Sequence, residues 1–179
     1  MDMIDLRLAL TNDAISISRM SAALIEQGLP KAWSAARVIH HIRRKDSVVL
    51  VAKDDDRIMG FAVMEFGEHS AHLSLLAVST LVRRKGIARR MLEWLHESAV
   101  TAGTFSITLE LRASNATAFK FYTAMGYRQS NLKRQYYWSR EDAICMSRDL
   151  VVDSPNPPKY SLPEKFRVRW LHGQSIGKS

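Results

Sequence analysis

Residues 83–90 read RRKGIARR and gather five basic side chains around one glycine, directly before a run with helical periodicity. Cations at a helix N-terminus oppose the helix macrodipole, and each costs about 0.3 to 1 kcal/mol when poorly screened. A bound anion would reverse this penalty, because the free amides of a first helical turn bind phosphate and Gly86 lets the backbone approach it. The segment therefore indicates a phosphate or pyrophosphate site, with a solvated basic surface as the alternative.

Residues 109–127, LELRASNATAFKFYTAMGY, hold a second group of side chains suited to chemistry. Glu110 alternates out of the apolar side of its strand, so it is either an acid–base group or an ordinary glutamate on the polar side. Tyr122 is a candidate proton donor or a core tyrosine packed beside Ala118. Asn115 is a candidate ligand contact or a plain helix N-cap.

His69 and His72 lie three residues apart near two glutamates, a spacing that suits a metal, but we interpret them as part of a polar loop between strands. Cys145 lies in an apolar segment, and we expect it to be a buried hydrophobic residue. As the single cysteine of the chain it excludes an intramolecular disulfide and a thiolate zinc site. Its isolation fits a reducing compartment and predicts a cytoplasmic location.

Hydrophobic periodicity predicts alternating strands and helices up to residue 150. The predicted strands cover residues 4–10, 47–52, 58–66, 71–78, 105–111, a segment around Tyr127, and 142–150. On the fifth of these strands, Phe105, Ile107, Leu109 and Leu111 should share one face. Four helices are predicted. The first follows residues 11–13 and stops at Gly28, and the second is capped by Ser34. The third runs from the basic cluster to about Ala99, and the fourth covers residues 115–125 and is ended by Gly126.

The chain has 179 residues, 46% of them hydrophobic, which predicts about one domain. We place it at residues 1–152. Residues 153–179 form a C-terminal tail of unknown role, in which four prolines argue against regular structure. The net charge of +8 implies attraction to polyanions or to a phosphate-bearing ligand. No apolar run approaches the ~20 residues of a membrane helix, so we expect no membrane association.

These segments resemble the GNAT acetyltransferase superfamily over roughly residues 3–150. The pyrophosphate loop of that family has the form Arg/Gln-x-x-Gly-x-Gly/Ala, which residues 83–88 fit with Ala88 in the last position. The loop follows a strand ending LLAVS, as in the family, and residues 109–127 resemble the second family motif. The resemblance implies an α/β fold with a mixed, mostly antiparallel sheet flanked by helices, followed here by a proline-containing basic tail.

The resemblance also implies acetyl-CoA as the cosubstrate, with no metal. Asn115 would hydrogen-bond the pantetheine arm. The strand residues implied to pair with that arm through their backbone are Leu76, Ala77 and Val78. The residues implied for the pyrophosphate loop are Arg83, Arg84, Lys85, Gly86, Ile87, Ala88 and Arg89.

Two side chains carry the implied chemistry, which is transfer of an acetyl group to an amine. Glu110 would act on the acceptor amine, directly or through a water, because an unshifted carboxylate is a weak base. Tyr122 would face the thioester and protonate the departing thiolate. Strand amides near Val78 would polarise the thioester carbonyl.

Within the superfamily, residues 109–127 and the continuation RQYYWSREDAICMSRDL most resemble the ribosomal-protein-alanine N-acetyltransferases and related enzymes of protein N-termini. Two features depart from that pattern. The aromatic-Pro-Trp element of the loop after the first helix is spread out here, and the glycine of the Gly-Glu-Asp-Ala run is absent. The residues implied to bind the acceptor are Leu29, Pro30, Trp33, Tyr136 and Tyr137.

The implied acceptor is a protein N-terminus, most naturally that of a ribosomal protein, and an association with the ribosome is a further expectation. Two alternatives stay open. The nearer is a GNAT enzyme for a small amine such as a polyamine or an aminoglycoside. The more distant is a non-catalytic module that binds RNA or the ribosome through its positive charge, although no aromatic-basic RNA signature supports it.

Overall fold

A computed structural model of the chain describes residues 4–137 and 141–150, and all structural statements below concern these residues. The strands are β1 (Asp5–Leu8), β2 (Ser47–Asp54), β3 (Arg57–Phe66), β4 (Ala71–Val78), β5 (Ser106–Arg112), β6 (Arg128–Tyr137) and β7 (Glu141–Asp149). The helices are α1 (Ala14–Leu24), α2 (Ala35–Arg43), α3 (Ile87–Thr101) and α4 (Ala116–Ala124). Short 3-10 turns lie at Thr11–Asp13 and Thr80–Val82.

The strands form one sheet in the order β1-β2-β3-β4-β5-β7-β6. Every neighbouring pair is antiparallel except β4 and β5, which run parallel and are connected by α3. This confirms the predicted α/β fold with a mixed, mostly antiparallel sheet. The parallel pair is the predicted strand–helix–strand unit, since parallel neighbours need a crossover connection.

Helices cover both faces of the sheet and give it two hydrophobic cores. On one face, Leu92 and Leu95 of α3 pack with Leu109 of β5 and with residues of α4. On the other face, Ile17 of α1 and Val38 of α2 pack against the central strands. We call the first cluster the α3 core and the second the α1–α2 core. The apolar run of β2 is buried almost throughout, because its side chains on both faces meet a helical layer.

Strands β4 and β5 pair only at Ala71 with Ile107 and at His72 with Thr108. Beyond these two positions the strands separate, and a cleft opens between them. In the same region β4 carries a bulge at Ser74, because Leu73 and Leu75 pair with consecutive residues of β3. The bulge turns the side chains that follow it: Leu73 packs in the α3 core, whereas Leu75 packs in the α1–α2 core.

Local signals placed most helix ends correctly. Ser34 caps α2, and its Oγ accepts a hydrogen bond from the backbone N of Arg37 at 3.3 Å. Gly126, just after α4, has a φ of +84°, the left-handed conformation expected of a glycine that ends a helix. Cys145 is buried, as predicted.

Two positions differ from the sequence-based prediction. Phe105 was expected on the buried face of β5, but it precedes the strand and is 47% exposed, because the sheet ends there and offers it no covering layer. His72 was interpreted with His69 as part of a polar loop, although it also falls within the strand predicted for residues 71–78, and the structure places it on β4.

The predicted boundary near residue 152 and the predicted tail at residues 153–179 lie outside the described residues. Within the described part of the chain, no helix is long and apolar enough to span a membrane. That same part contains no group of three or more His, Cys, Asp or Glu side chains arranged to hold a metal ion.

Candidate active site

The cleft between β4 and β5 encloses a cavity of about 480 Å³. Its walls come from the end of α1 and the loop after it, from β4 and β5, from the start of α3, from α4, and from Tyr137 at the end of β6. The predicted site residues on these walls are Leu29, Leu76, Ala77, Val78, Arg83, Ala88, Glu110, Asn115, Tyr122 and Tyr137. The separation of the two strands thus brings both predicted catalytic residues to one cavity.

Glu110 lies on β5 just beyond the last β4–β5 pair, and its side chain is 18% exposed. Its Oε1 accepts a hydrogen bond from Lys133 Nζ at 2.8 Å, and its Oε2 lies 3.1 Å from His72 Nε2. The hydrogen bond to Glu110 holds the pKa of Lys133 above its ordinary value. Lys133 also lies 4.8 Å from the centre of the Tyr136 ring, a cation–π contact.

Tyr122 lies on α4 and is buried, with its ring against those of Phe121 and Tyr127. Burial raises the pKa of Tyr122 well above its ordinary value, because the phenolate would lose its hydration. The side chain is therefore a neutral phenol at physiological pH. A neutral phenol on a cavity wall suits the role of a proton donor, and it also fills the core, so the two interpretations of Tyr122 coexist.

Asn115 shows the same overlap of roles. Its Oδ1 accepts a hydrogen bond from the backbone N of Ala118 at 3.0 Å, which makes it the N-cap of α4. Asn115 also lines the cavity. Because the cap uses only the side-chain oxygen, the side-chain amide nitrogen is available for a ligand contact.

The basic turn before α3 has the geometry of an anion site. Gly86 has a φ of +77° and Arg84 a φ of +61°, and α3 begins at Ile87 with no side-chain cap on its amides. A Cβ at position 86 would meet no described atom within 4 Å, so the space in front of the helix is open. Uncapped amides, an open approach and several exposed cations fit a pyrophosphate.

The β5-facing edge of β4 offers a second set of binding groups. Beyond His72 this edge has no partner strand among the described residues, so the backbone groups of Leu76 and Val78 face the cavity, whereas those of Ala77 between them face β3. One of these carbonyls, that of Val78, accepts a long hydrogen bond from Arg83 Nε at 3.5 Å. An extended ligand can pair with such an edge as an additional strand would.

Several predicted residues of the turn lie off the cavity wall. The side chains of Arg84, Lys85 and Arg89 are exposed around the turn, as is Gly86. Ile87 is buried in the α3 core, so it contributes packing and, as the first helical residue, a backbone amide.

The predicted acceptor residues divide in the same way. Leu29 and Tyr137 line the cavity, whereas Pro30 is exposed and Tyr136 contacts Lys133. Burial raises the pKa of Tyr137 to about 12, which keeps its hydroxyl neutral. Trp33 packs in the α1–α2 core, with its ring 4.9 Å from that of His41.

The position of Trp33 has a local cause. The buried carboxylate of Glu26 accepts hydrogen bonds from the backbone N of Ala32 at 2.8 Å and of Trp33 at 2.9 Å. These bonds fold the loop after α1 inward and carry the indole into the core. Two residues separate Pro30 from Trp33. As a result, Pro30 lies at the surface whereas Trp33 is buried.

The sequence analysis did not assign three residues near Glu110 to the site: His72, Lys133 and Arg112. Arg112 donates from Nη1 to the carbonyl of Gln27 at 2.9 Å and forms an ion pair with Glu141 at 3.1 Å, which ties the loop after α1 to the cavity. Arg112 lies two residues after Glu110 on the same strand, so period-2 alternation alone would have placed it on the same face.

A family model described as "Acetyltransferase (GNAT) domain" matches residues 16–140, which is more than half of the chain. The chain belongs to the GNAT acetyltransferase family. The turn at Gly86 and the segment that carries Glu110 and Tyr122 both lie within the matched part of this GNAT domain.

Individual relatives have similar sequences. The GNAT chain is 36% identical over 96 residues to a "[Ribosomal protein bS18]-alanine N-acetyltransferase" of Salmonella typhimurium. That match covers 52% of this chain and 65% of the relative, so it spans less than two thirds of the relative's own length.

Solved structures extend the similarity over more of the chain. The crystal structure of the ribosomal-protein-S18-alanine N-acetyltransferase from Escherichia coli is 25% identical with a TM-score of 0.73, covering 87% of this chain and 99% of that one. The PaiA N-acetyltransferase of Thermoplasma acidophilum, solved in complex with coenzyme A, shares the fold at 18% identity with a TM-score of 0.69. That match covers 82% of this chain and 99% of the other.

Proposed function

We propose that this protein transfers the acetyl group of acetyl-CoA to the α-amine of a protein N-terminus. The observation that carries the proposal is the separation of β4 from β5 beyond His72. It surrounds one cavity with an open strand edge, the start of α3, a carboxylate and a neutral phenol. The strand edge suits a pantetheine arm, and the start of α3 suits a pyrophosphate. The carboxylate suits an amine, and the phenol suits a departing thiolate.

Acetyl-CoA is the cosubstrate that the walls of the cavity fit. The edge of Leu76, Ala77 and Val78 would hold the pantetheine, and the amides of the turn at Gly86 would hold the pyrophosphate, with Arg83 at the cavity side of that turn. When bound, acetyl-CoA supplies an acetyl thioester. A backbone N–H of the β4 edge near Val78 would polarise its carbonyl.

The reaction requires a neutral amine, and this requirement favours an N-terminal acceptor. An α-amine has a pKa near 7.7 to 8.0, so roughly a tenth is neutral at pH 7, whereas a lysine near 10.4 is neutral in only a few parts in ten thousand. Glu110 would hold and deprotonate the ammonium form. A carboxylate is a weak base, so an acceptor with the lower pKa demands less of it.

The proton inventory of the transfer balances with the two proposed catalytic residues. The ammonium form of the acceptor gives one proton to Glu110, directly or through one water. Its nitrogen then forms the new C–N bond to the acetyl carbon, and the C–S bond of the thioester breaks. Tyr122 gives its hydroxyl proton to the thiolate and regains one from the nitrogen, which ends as a neutral amide N–H.

Three features support a ribosomal protein as the acceptor. The relatives from Salmonella and Escherichia coli are named for the alanine of a ribosomal protein, and the net charge of +8 suits an RNA-rich assembly. Leu29 and Tyr137 add apolar surface to the cavity wall, which suits a small first side chain. We place the activity in residues 1–152 and the protein in the cytoplasm, with residues 153–179 as an accessory segment.

A peptide with two kinds of amine tests this proposal. The peptide offers one free N-terminal alanine and one internal lysine, and mass spectrometry locates the acetyl group after incubation with acetyl-CoA. We expect it on the α-amine. A matched peptide with a blocked N-terminus should stay unmodified. Acetylation mainly on lysine, or only on an added polyamine, would contradict the N-terminal acceptor and leave an acetyltransferase of another amine.

A further inference from the structure

Arg112 lies next to Glu110 on the cavity wall. The two residues are two positions apart on β5, so their side chains leave the same face of the strand, with about 6.7 Å between their Cα atoms. Both residues line the cavity. One wall therefore carries a carboxylate and a guanidinium at a separation that a small polar group can bridge.

Contacts with two other elements hold the Arg112 side chain in place. Its Nη1 donates to the carbonyl of Gln27 at 2.9 Å, and its Nε forms an ion pair with Glu141 Oε2 at 3.1 Å. Glu141 Oε1 accepts hydrogen bonds from the Ser114 hydroxyl and, at 3.2 Å, from the Ser114 backbone N. The bond from the Ser114 side chain holds the pKa of Glu141 below its ordinary value. The guanidinium is thus fixed against an ionised partner before any ligand binds.

One nitrogen of this guanidinium keeps unused donors. A guanidinium has five N–H groups in a fixed plane, and the contacts above engage only Nη1 and Nε. No described residue accepts a hydrogen bond from Nη2. A Cβ built on Gly28 would lie 4.0 Å from Nη2, and the neighbours Gln27 and Leu29 both line the cavity. Nη2 therefore lies where the loop after α1 borders the cavity.

The charges around Glu110 allow an ammonium to bind beside this guanidinium. Arg112 is paired with Glu141, which offsets its positive charge. Glu110 Oε1 accepts from Lys133, and its Oε2 lies 3.1 Å from His72 Nε2. Each carboxylate oxygen has two lone pairs, so Glu110 can accept further hydrogen bonds. A ligand thus meets an acceptor at Glu110 and a donor at Arg112.

We propose that Arg112 recognises the acceptor as an N-terminal residue, by donating from Nη2 to the carbonyl oxygen of its first residue. Glu110 holds the α-amine at the same time. The inference rests on the proposed function, in which Glu110 serves that amine. In an N-terminal residue the amine is attached to Cα and the carbonyl carbon is the next atom, so both groups arrive as one compact polar unit.

This pairing disfavours the ε-amine of a lysine. Four methylene groups separate that nitrogen from Cα, and no carbonyl lies next to it. A lysine or a polyamine bound at Glu110 leaves the Arg112 donor without a partner while its aliphatic chain displaces water. A site built to hydrogen-bond one substrate rejects an analogue that lacks the partner, because the polar group of the protein stays unpaired. Arg112 therefore adds to the selectivity that the low pKa of an α-amine provides.

Removing the donor and the acceptor of this hydrogen bond, singly and together, tests the proposal. The substrates are a peptide with a free N-terminal alanine and the same peptide with an (E)-alkene in place of its first peptide bond. In the wild type the alkene should lower kcat/KM for the peptide by about 10-fold or more, the scale of a hydrogen bond to a charged group. Arg112→Met should lower kcat/KM for the normal peptide to a similar extent and show no further loss with the alkene peptide. The alkene also changes the pKa of the amine, but this change is common to both enzymes and cancels in the comparison.

Two further variants accompany this measurement. Arg134→Met removes an arginine whose side chain is 81% exposed and paired with Asp142, so it should respond to the alkene as the wild type does. Arg112→Lys keeps the positive charge, but a single ammonium cannot replace a planar guanidinium that serves several partners. It should therefore lose the sensitivity to the alkene, and it serves as the test if Arg112→Met does not fold. The Kd for acetyl-CoA should stay close to the wild-type value in each variant.

Two results would overturn the inference: an alkene effect in Arg112→Met and Arg112→Lys as large as in the wild type, or a wild type that is insensitive to the alkene. The first result would make Arg112 only a support for the loop after α1, since losing a support slows both peptides equally. A failure of the proposed function gives a different result, because the wild type would then prefer a lysine peptide with a blocked N-terminus to the alanine peptide. An enzyme that prefers the α-amine without either Arg112 effect loses only the inference.

Discussion

Single side chains in this protein combine a packing or capping role with a place on the cavity wall. Tyr122 fills the core beside Tyr127 and also lines the cavity, and Asn115 caps α4 while facing the same space. Gly86 differs from both, since its role depends on the absence of a side chain in a left-handed turn. Substitutions at this scale can separate the two kinds of role.

Gly86→Asp should abolish the stabilisation of the protein by acetyl-CoA. The new carboxylate would strain a residue with a φ of +77° and repel the pyrophosphate. A ligand at 100 times its Kd should stabilise the wild type by about 2.7 kcal/mol, visible as a rise in Tm. Gly103→Asp is the matched control, because Gly103 has a φ of +75°, equally open surroundings and a place after the other end of α3. An undiminished Tm shift in Gly86→Asp would place the cosubstrate elsewhere.

His96 should make the protein less stable in acid. Its Nε2 lies 3.0 Å from the Tyr127 hydroxyl, and burial lowers its pKa to about 3. Below pH 6.5 the unfolded chain binds a proton at this residue that the folded chain does not, so stability is full above pH 6.5 and declines toward pH 3. Denaturant unfolding at pH 5 and 7.5 should differ by about 2 kcal/mol from this source. His96→Gln should reduce that difference, and an unchanged difference would contradict the neutral buried histidine.

At the scale of elements, the sequence predicted the helix ends and the strand faces, because capping residues and hydrophobic periodicity determine them. Ser34 and Gly126 marked helix ends correctly, and the alternation along β5 placed Glu110 on the opposite face from Leu109. Local sequence patterns do not indicate where the pairing of two parallel strands ends. The separation of β4 from β5 after His72 was therefore not predictable. The bulge at Ser74 was missed for the same reason, since register depends on the partner strand.

The candidate site was predictable to a similar extent. The resemblance of two short segments to family motifs predicted Glu110, Tyr122 and the turn at Gly86, and the structure brings Glu110 and Tyr122 to the walls of one cavity. His72 and Lys133 reach Glu110 from β4 and β6, so their contacts arise from tertiary structure alone. The inward position of Trp33 likewise depends on hydrogen bonds to Glu26 across the loop.

Asn115 provides a test of the helix α4 as a positioning element. Asn115→Ala removes the cap and should cost about 1 kcal/mol of unfolding free energy. Asn115→Ser restores a capping oxygen but has no amide to reach the pantetheine, so it should recover stability while the KM for acetyl-CoA stays raised. Serine restoring both quantities would reduce Asn115 to a cap.

At the scale of the whole molecule, the described residues form a seven-stranded sheet with a hydrophobic core on each face. Among the described residues, Leu150 is the last residue in the sequence that contributes to the α3 core, and Ala77 is the last that contributes to the α1–α2 core. The basic turn, the open edge of β4 and the proposed catalytic pair therefore all belong to the predicted domain of residues 1–152.

A chain that ends at Val152 should consequently fold. We expect a cooperative thermal transition with a Tm within about 4 °C of the full chain, the shift that corresponds to roughly 1 kcal/mol in a domain of this size. Circular dichroism of both proteins measures this. A broad, non-cooperative transition in the shortened chain would indicate that Phe166, Val168 or Trp170 contributes to the core.

The central claim is that the β4–β5 cleft performs acetyl transfer with Glu110 and Tyr122. The most direct test measures turnover and acetyl-CoA affinity together, on a peptide with a free N-terminal alanine, for the wild type, Glu110→Gln and Tyr122→Phe. We expect each substitution to lower kcat by about 100-fold or more, the usual scale of acid–base catalysis, with the Kd for acetyl-CoA nearly unchanged. Near-normal turnover in both variants would contradict the claim and assign the chemistry to other residues.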